Sequence, residues 1–256
     1  MRLLFIGDVV GIGGCEFLMK ALPGYKKENG VDVCIANGEN SAQGNGVTPV
    51  SCKMLYDSGV DFITLGNHSF KRPEVLDYLD EESAIIRPYN FPESAPGKGV
   101  AIIDKGRFRV AVISLMGTVY LEALNNPFYE VDKALNEVDG CKTVIVDFHA
   151  EATAEKRSMG FYLDGRVTAV LGTHTHVQTA DAQLLPKGTA YITDVGMTGP
   201  VQSVLGIEPE LAIKKMKSHL PVRFNNASGE YMMNACIIDI NEKNGKAEYI
   251  KRLVLK

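Results

Sequence analysis

The chain reads as an α/β protein, a single domain over residues 1–256 made of two packed β-layers flanked by helices. Three observations predict this. Short β-branched runs alternate with helical patterns through the first third. A turn-rich middle with a hairpin interrupts that rhythm, which then resumes. A second hairpin closes the chain.

Leu3 to Ile6 is an apolar run of strand length. The spacing predicts a helix over Glu16 to Lys27, kinked or ended at Pro23-Gly24. Val31 to Ala36 is the second strand. Thr48-Pro49 offers an N-cap and then proline at the first helical position, so a helix runs to about Asp57, before Gly59. Val60 to Leu65 is the third strand, and Arg72 to Leu79 a short helix. A β-α-β-α-β order implies a parallel sheet with right-handed crossovers. Arg87 to Pro92 and Pro96-Gly97 form a turn-rich loop. Val100 to Ile103 and Phe108 to Leu115 flank Asp104-Lys105-Gly106-Arg107 as a hairpin. Thr143 to Phe148 is a strand, Ala152 to Met159 a helix, and Val167 to Leu171 a strand. Ala190 to Thr193 is another short strand, and Pro209 to His219 a helix. Tyr231 to Asn241 and Lys246 to Leu255 pair around an Asn244-Gly245 turn.

Composition excludes several classes. Apolar residues make up 45% of the chain, enough for a sizeable core. The net charge of −4 gives no general attraction to a nucleic-acid backbone. No apolar run is long enough to span a bilayer, so no membrane partner is expected. Asp8 interrupts the N-terminal apolar run too early for a signal peptide. The five cysteines are scattered and odd in number, which fits a reducing cytoplasm and no thiolate metal site. Gly11-x-Gly13-Gly14 lacks the third glycine of a dinucleotide fingerprint, because Glu16 stands there.

Polar residues collect where strands end. The first strand ends at Gly7-Asp8, the second at Asn37-Gly38-Glu39-Asn40, and the third at Gly66-Asn67-His68. The strand at Thr143 ends at Asp147-Phe148-His149. The next ends at Gly172-Thr173-His174-Thr175-His176, whose i, i+2 histidines would share one side of an extended segment. Each cluster alone has a bland reading as a cap or turn. Together they hold four of the five histidines, at the strand ends where open α/β sheets place ligands. Asp8, Glu39, Asn67, His149, His174 and His176, with Asn40 possible, are more donors than one ion needs. Two ions about 3.5–4 Å apart would use them. The oxygen and imidazole mix favours iron or manganese, with zinc, cobalt or nickel possible.

The order Asp8, Glu39-Asn40, Gly66-Asn67-His68, His149, Gly172-x-His174-x-His176 resembles the calcineurin-like metallophosphoesterases, whose motifs run D-x-H, G-D, G-N-H, H and G-H-x-H. Val10, Glu39 and Ser69 depart from that pattern. The departures resemble one branch, the YmdB-like bacterial metallophosphoesterases. Longer blocks carry the likeness, among them Ala36 to Asn40, Arg87 to Pro92, Asp147 to Thr153, Gly172 to Asp181 and Tyr191 to Pro200. Ile12-Gly13-Gly14 and Ser69-Phe70-Lys71 depart from that branch near the expected substrate mouth.

The resemblance implies a metallophosphoesterase-type αββα fold and hydrolysis of 2′,3′-cyclic nucleotides to 3′-nucleotides. It implies two metal ions, iron or manganese. Asp8, Glu39, Asn40 and His176 would hold the first, and Glu39, Asn67, His149 and His174 the second. A hydroxide bridging the ions would attack phosphorus, and His68 would donate a proton to the leaving oxygen. The expected partner is a small phosphodiester such as a 2′,3′-cyclic nucleotide, or an RNA end. A homo-oligomer is compatible with the hairpins. The alternatives are a phosphomonoesterase or nucleotidase on the same core, and a regulatory protein that binds cyclic nucleotide or RNA with little turnover.

Overall fold

The first strand, β1 (Arg2–Ile6), divides its side chains between two cores. Leu3 and Phe5 enter one cluster, and Leu4 and Ile6 enter another. Val33 and Ile35 of the neighbouring strand join the first pair, and Cys34 and Ala36 the second. This alternation follows from the two-residue period of a strand buried on both faces. It explains why these strands read as continuous apolar runs.

The computed structural model describes residues 1–256. After β1 come β2 (Asp8–Val9), α1 (Gly11–Asn29), β3 (Val33–Asn37), α2 (Pro49–Asp57) and β4 (Phe62–Thr64). A 3₁₀ turn (Pro73–Val75) leads into α3 (Leu76–Glu81) and β5 (Ile85–Ile86). The middle holds β6 (Val100–Asp104), β7 (Arg109–Met116), α4 (Pro127–Glu137), β8 (Thr143–His149), α5 (Thr153–Tyr162) and β9 (Ala169–Thr173). Then follow β10 (Gln183–Leu184), β11 (Ala190–Ile192), β12 (Met197–Pro200), α6 (Pro209–Ser218), β13 (Tyr231–Ile240) and β14 (Ala247–Leu255).

Two sheets form. The first has eight strands in the order β2-β12-β13-β1-β3-β4-β5, with β14 paired to β13. The second has six, in the order β10-β11-β9-β8-β7-β6. β1, β3, β4 and β5 run parallel, as do β7, β8, β9 and β11. The sheets face each other across a shared cluster that includes Phe5, Ile35, Val112, Ile145 and Leu171. Leu18, Leu22 and Leu55 of α1 and α2 cover the outer face of the first sheet. Val131, Ala134 and Met159 of α4 and α5 cover the outer face of the second. The result is the αββα sandwich that the sequence predicts.

Several boundaries differ from expectation. α1 starts at Gly11, five residues before Glu16, and passes through Pro23. Buried Leu18 and Leu22 seat the turns ahead of the proline, so packing carries the helix past the lost hydrogen bond. α4 has no counterpart among the expected elements. Asn126 caps it by accepting from Phe128 N, Pro127 occupies its first turn, and Val131 and Ala134 face the core. β9 starts two residues later than expected, because parallel register with β8 begins at Ile145 and Ala169. Each hairpin supplies an edge: β14 pairs only with β13 in the first sheet, and β6 ends the second.

Candidate metal centre

Asp8 lies in β2, and Glu39 and Asn67 follow β3 and β4, so the first sheet delivers three oxygen donors. His149 ends β8, and His174 and His176 follow β9, so the second sheet delivers three imidazoles. Both sets sit at carboxyl ends of parallel strands. Gly66 allows their approach, because a Cβ there would collide with the His149 ring.

The seven expected donors come together in two groups. His149 Nε2 is 2.8 Å from Asn67 Oδ1, 3.0 Å from His174 Nδ1 and 3.3 Å from Glu39 Oε2. His174 Nδ1 is 3.1 Å from Asn67 Oδ1. Beside this set, His176 Nε2 is 3.8 Å from Asp8 Oδ1 and 3.3 Å from Asn40 Nδ2. Asp8, Glu39 and His149 offer ligand atoms within 4.8 Å of one another. The i, i+2 expectation for His174 and His176 does not hold. Both lie past the strand with positive φ, 105° and 63°, and each joins a different group.

Three features fit this site to metal. Asp8 Oδ1 is buried and has no hydrogen-bond partner, while Oδ2 accepts from His174 N at 3.1 Å. An orphaned buried carboxylate oxygen is costly unless a cation satisfies it. Each imidazole also has its outward nitrogen pinned by an acceptor. His176 Nδ1 donates to the Leu205 carbonyl at 3.0 Å, and His174 Nε2 donates to Glu151 Oε2 at 3.0 Å. His149 Nδ1 faces Thr173 Oγ1 at 2.9 Å. The Thr173 hydroxyl donates to Asp147 Oδ1 at 2.7 Å, so its oxygen must accept from His149. In every ring the inward nitrogen is therefore the one with a lone pair to offer, the arrangement that ligating histidines use. Third, the cluster of groups that could hold an ion contains no cysteine, which suits harder ions.

Asn40 is turned differently from the expectation. Its Oδ1 faces His68 Nδ1 at 2.8 Å, and its Nδ2 donates to Glu39 Oε1 at 2.9 Å. In this orientation it bridges neighbours and does not present its oxygen to the Asp8 group. His68 Nδ1 also contacts Glu39 Oε1 at 2.9 Å, and the His68 backbone N–H donates to Glu39 Oε2.

Electrostatics follow from burial and mutual charge. Burial pushes the Asp8 carboxyl up, against the pull of His176 and His149. Burial opposes ionisation of Glu39 too, but His149 and His68 outweigh it and hold the carboxyl well below its usual range. Burial would lower His149, yet Glu39 and Asp8 raise it to about 9. Burial, with the charge of His149, drives His174 down to about 3. His174 thus keeps a free lone pair.

Asp147, Thr173 and Glu151 are not among the donors that the sequence singles out. A signal for Asp147 exists: an acid inside an otherwise apolar strand. It is fully buried and accepts from Thr64, Thr173 and Asn37. The site opens into a cavity of about 550 Å³ lined by Glu39, His68, His174 and His176 on its polar side. Val10, where the superfamily motif has histidine, supplies apolar wall beside Leu205, Ile207 and Phe224.

The two facing sheets, with donors at their carboxyl ends, define a metallophosphoesterase-type α/β protein. The chain belongs to the family of YmdB-like proteins, whose model matches residues 4–253. It is 46% identical over 256 residues to the 2′,3′-cyclic-nucleotide 2′-phosphodiesterase of Bacillus subtilis, covering 100% of this chain and 97% of that protein. A hypothetical protein from Thermus thermophilus superposes with a TM-score of 0.94 at 40% identity, covering 100% of this chain and 99% of that one. A solved structure described as a novel phosphatase of Mycoplasma pneumoniae also has a TM-score of 0.94, at 31% identity, covering 100% of this chain and 93% of that one.

Proposed function

We propose that this protein is a metal-dependent phosphodiesterase that hydrolyses 2′,3′-cyclic nucleotides to 3′-nucleotides. The observation that carries the reading is the set of three imidazoles, each pinned at its outer nitrogen and aimed at a buried carboxylate pair. The relationship to the B. subtilis phosphodiesterase over the full chain supports the substrate class.

Asp8 and His176 would hold one ion, joined by Asn40 once its amide turns its oxygen toward them, and Asn67, His149 and His174 a second, with Glu39 shared. Iron or manganese suits these donors. Bound there, two such ions supply positive charge for the phosphoryl oxygens and make water acidic enough to attack phosphorus near neutral pH. The chain's own groups do the rest. Glu39 orients His68 through Nδ1, which leaves His68 Nε2 free of protein partners on the cavity wall. His68 is placed to give a proton to the departing 2′ oxygen. Asp147, through Thr173, keeps the His149 ring in register.

The test is metal content of the purified protein, followed by assays on 2′,3′-cyclic AMP, 3′-AMP and 5′-AMP. About two ions per chain and turnover of the cyclic substrate alone are expected. Preferential release of inorganic phosphate from the monoesters would show a phosphatase instead. Tight binding of intact cyclic AMP without product would show a regulator.

A further inference from the structure

The segment from Leu211 to Gly229 differs from the rest of this acidic chain. It carries Lys214, Lys215, Lys217 and Arg223 and no acid, while the whole chain has 27 cations to 31 acids. Lys214, Lys217 and Arg223 are exposed, and Lys215 reaches only the His219 carbonyl. None of the four meets a carboxylate. The acids that flank the segment are Glu208 and Glu210 at the N-terminal end of α6 and Glu230 just past Gly229.

The same segment runs into the catalytic cavity. Phe224, next to Arg223, lines the cavity and keeps 43% of its surface exposed. Asn226 lines it too, with its amide lying so close over Gly11 that no Cβ would fit there. The Asn226 and Asn45 amides face the cavity and make no hydrogen bond within the protein. An exposed aromatic ring with free amides suits a nucleobase, which stacks on one and bonds to the other. A mononucleotide fits such a cavity without any need for the lysines of α6.

We propose that this segment is a track for an RNA strand, and that the preferred substrate is an RNA 3′ end bearing a 2′,3′-cyclic phosphate. The proposal rests on the phosphodiesterase reading and extends it from free nucleotides to strand ends. The terminal base lies on the Phe224 wall. Phosphates of the preceding nucleotides lie along Arg223, Lys217 and Lys214. Hydrolysis adds one water across the P–O2′ bond: the hydroxyl joins phosphorus, the proton goes to O2′, and a 3′-phosphate end remains. Only ribose can carry this ester, so the strand is RNA and not DNA.

The experiment compares 2′,3′-cyclic AMP with a short oligoribonucleotide ending in 2′,3′-cyclic phosphate, using metal-loaded protein and the variant Lys214→Gln/Lys217→Gln. The oligomer should have the higher kcat/KM at low salt. Between about 50 and 200 mM salt the wild-type advantage should shrink roughly sevenfold more than that of the variant, as expected for two single-strand phosphate contacts. Cyclic AMP turnover should stay unchanged, which controls for folding and metal. Equal kcat/KM for both substrates at all salt concentrations would overturn the proposal. So would a variant that loses binding only to vesicles of anionic phospholipid while oligomer turnover persists. If neither substrate is hydrolysed, the phosphodiesterase reading itself fails, which is a separate result.

Discussion

Thr173 Oγ1 lies 2.7 Å from Asp147 Oδ1 and passes the pull of that buried carboxylate on to the His149 ring. The carboxylate can only accept, so the hydroxyl hydrogen is committed to it. The threonine oxygen then fixes which His149 nitrogen carries a hydrogen. Thr173→Val keeps the shape and removes the relay. Metal affinity should drop about 10- to 100-fold with the fold intact, and Thr173→Ser should restore most of it. Titration with manganese, followed by calorimetry, checks this; equal affinities for all three proteins would remove Thr173 from the site.

His68→Ala should retain both ions and lose about 10²–10⁴ in kcat on 2′,3′-cyclic AMP. A p-nitrophenyl phosphodiester, whose leaving group needs no proton, should suffer far less. Equal losses on both substrates would mean that His68 orients Glu39 and is not the acid.

Asn40→Ala should weaken one ion and spare the other. The amide now bridges His68 and Glu39, so a second effect is expected on the pH dependence of turnover. Unchanged stoichiometry and affinity by elemental analysis would exclude Asn40 as a ligand.

Lys156 and Asp194 are both 1% exposed and meet at 2.7 Å. Asp194 Oδ2 also accepts from the Thr175 backbone, between the two histidines. Lys156→Met leaves a buried carboxylate without its cation and should cost about 3–5 kcal/mol in urea unfolding. The same change should loosen the histidine loop and lower metal affinity.

Asp61 gives the pH dependence. Burial raises its carboxyl, but hydrogen bonds from Lys105, Cys34 N and Lys26 outweigh burial and hold it below the usual value. The folded state then binds fewer protons than the unfolded state in this range, so stability rises with pH there. The contribution is complete above the unfolded pKa of about 3.9 and is lost as pH falls through the lower folded value. Asp61→Asn should cost about 1–3 kcal/mol at pH 7 and flatten the stability curve below about pH 4. An unchanged acid limb in the variant would assign that limb elsewhere.

The sandwich was legible because its strands are buried on both faces and end in polar residues at one end. The seven expected residues gather in one place, since strand ends are fixed once the parallel register is set, but the Asn40 oxygen faces His68. The split of His174 and His176 was reachable only through the family likeness. Extended geometry predicted a shared side, and the left-handed backbone at both residues overrode it. Helix α4 escapes the sequence reading although Asn126-Pro127 is a start signal and Val131, Ala134 and Val138 recur at helical spacing. Glu151 and Thr173 were not legible as partners of His174 and His149. Such contacts depend on which ring nitrogen faces outward, and spacing along the chain does not encode that.

Asp8, Glu39 and Asn67 come from one sheet, and His149, His174 and His176 from the other. Ions held between them would rivet the two halves of the sandwich together at one end. Loading the site would then oppose any sliding or parting of the sheets, and resistance to heat would track the free metal concentration. A cell short of the ion would hold a protein that is both idle and easier to unfold, so metal supply would set its abundance as well as its rate.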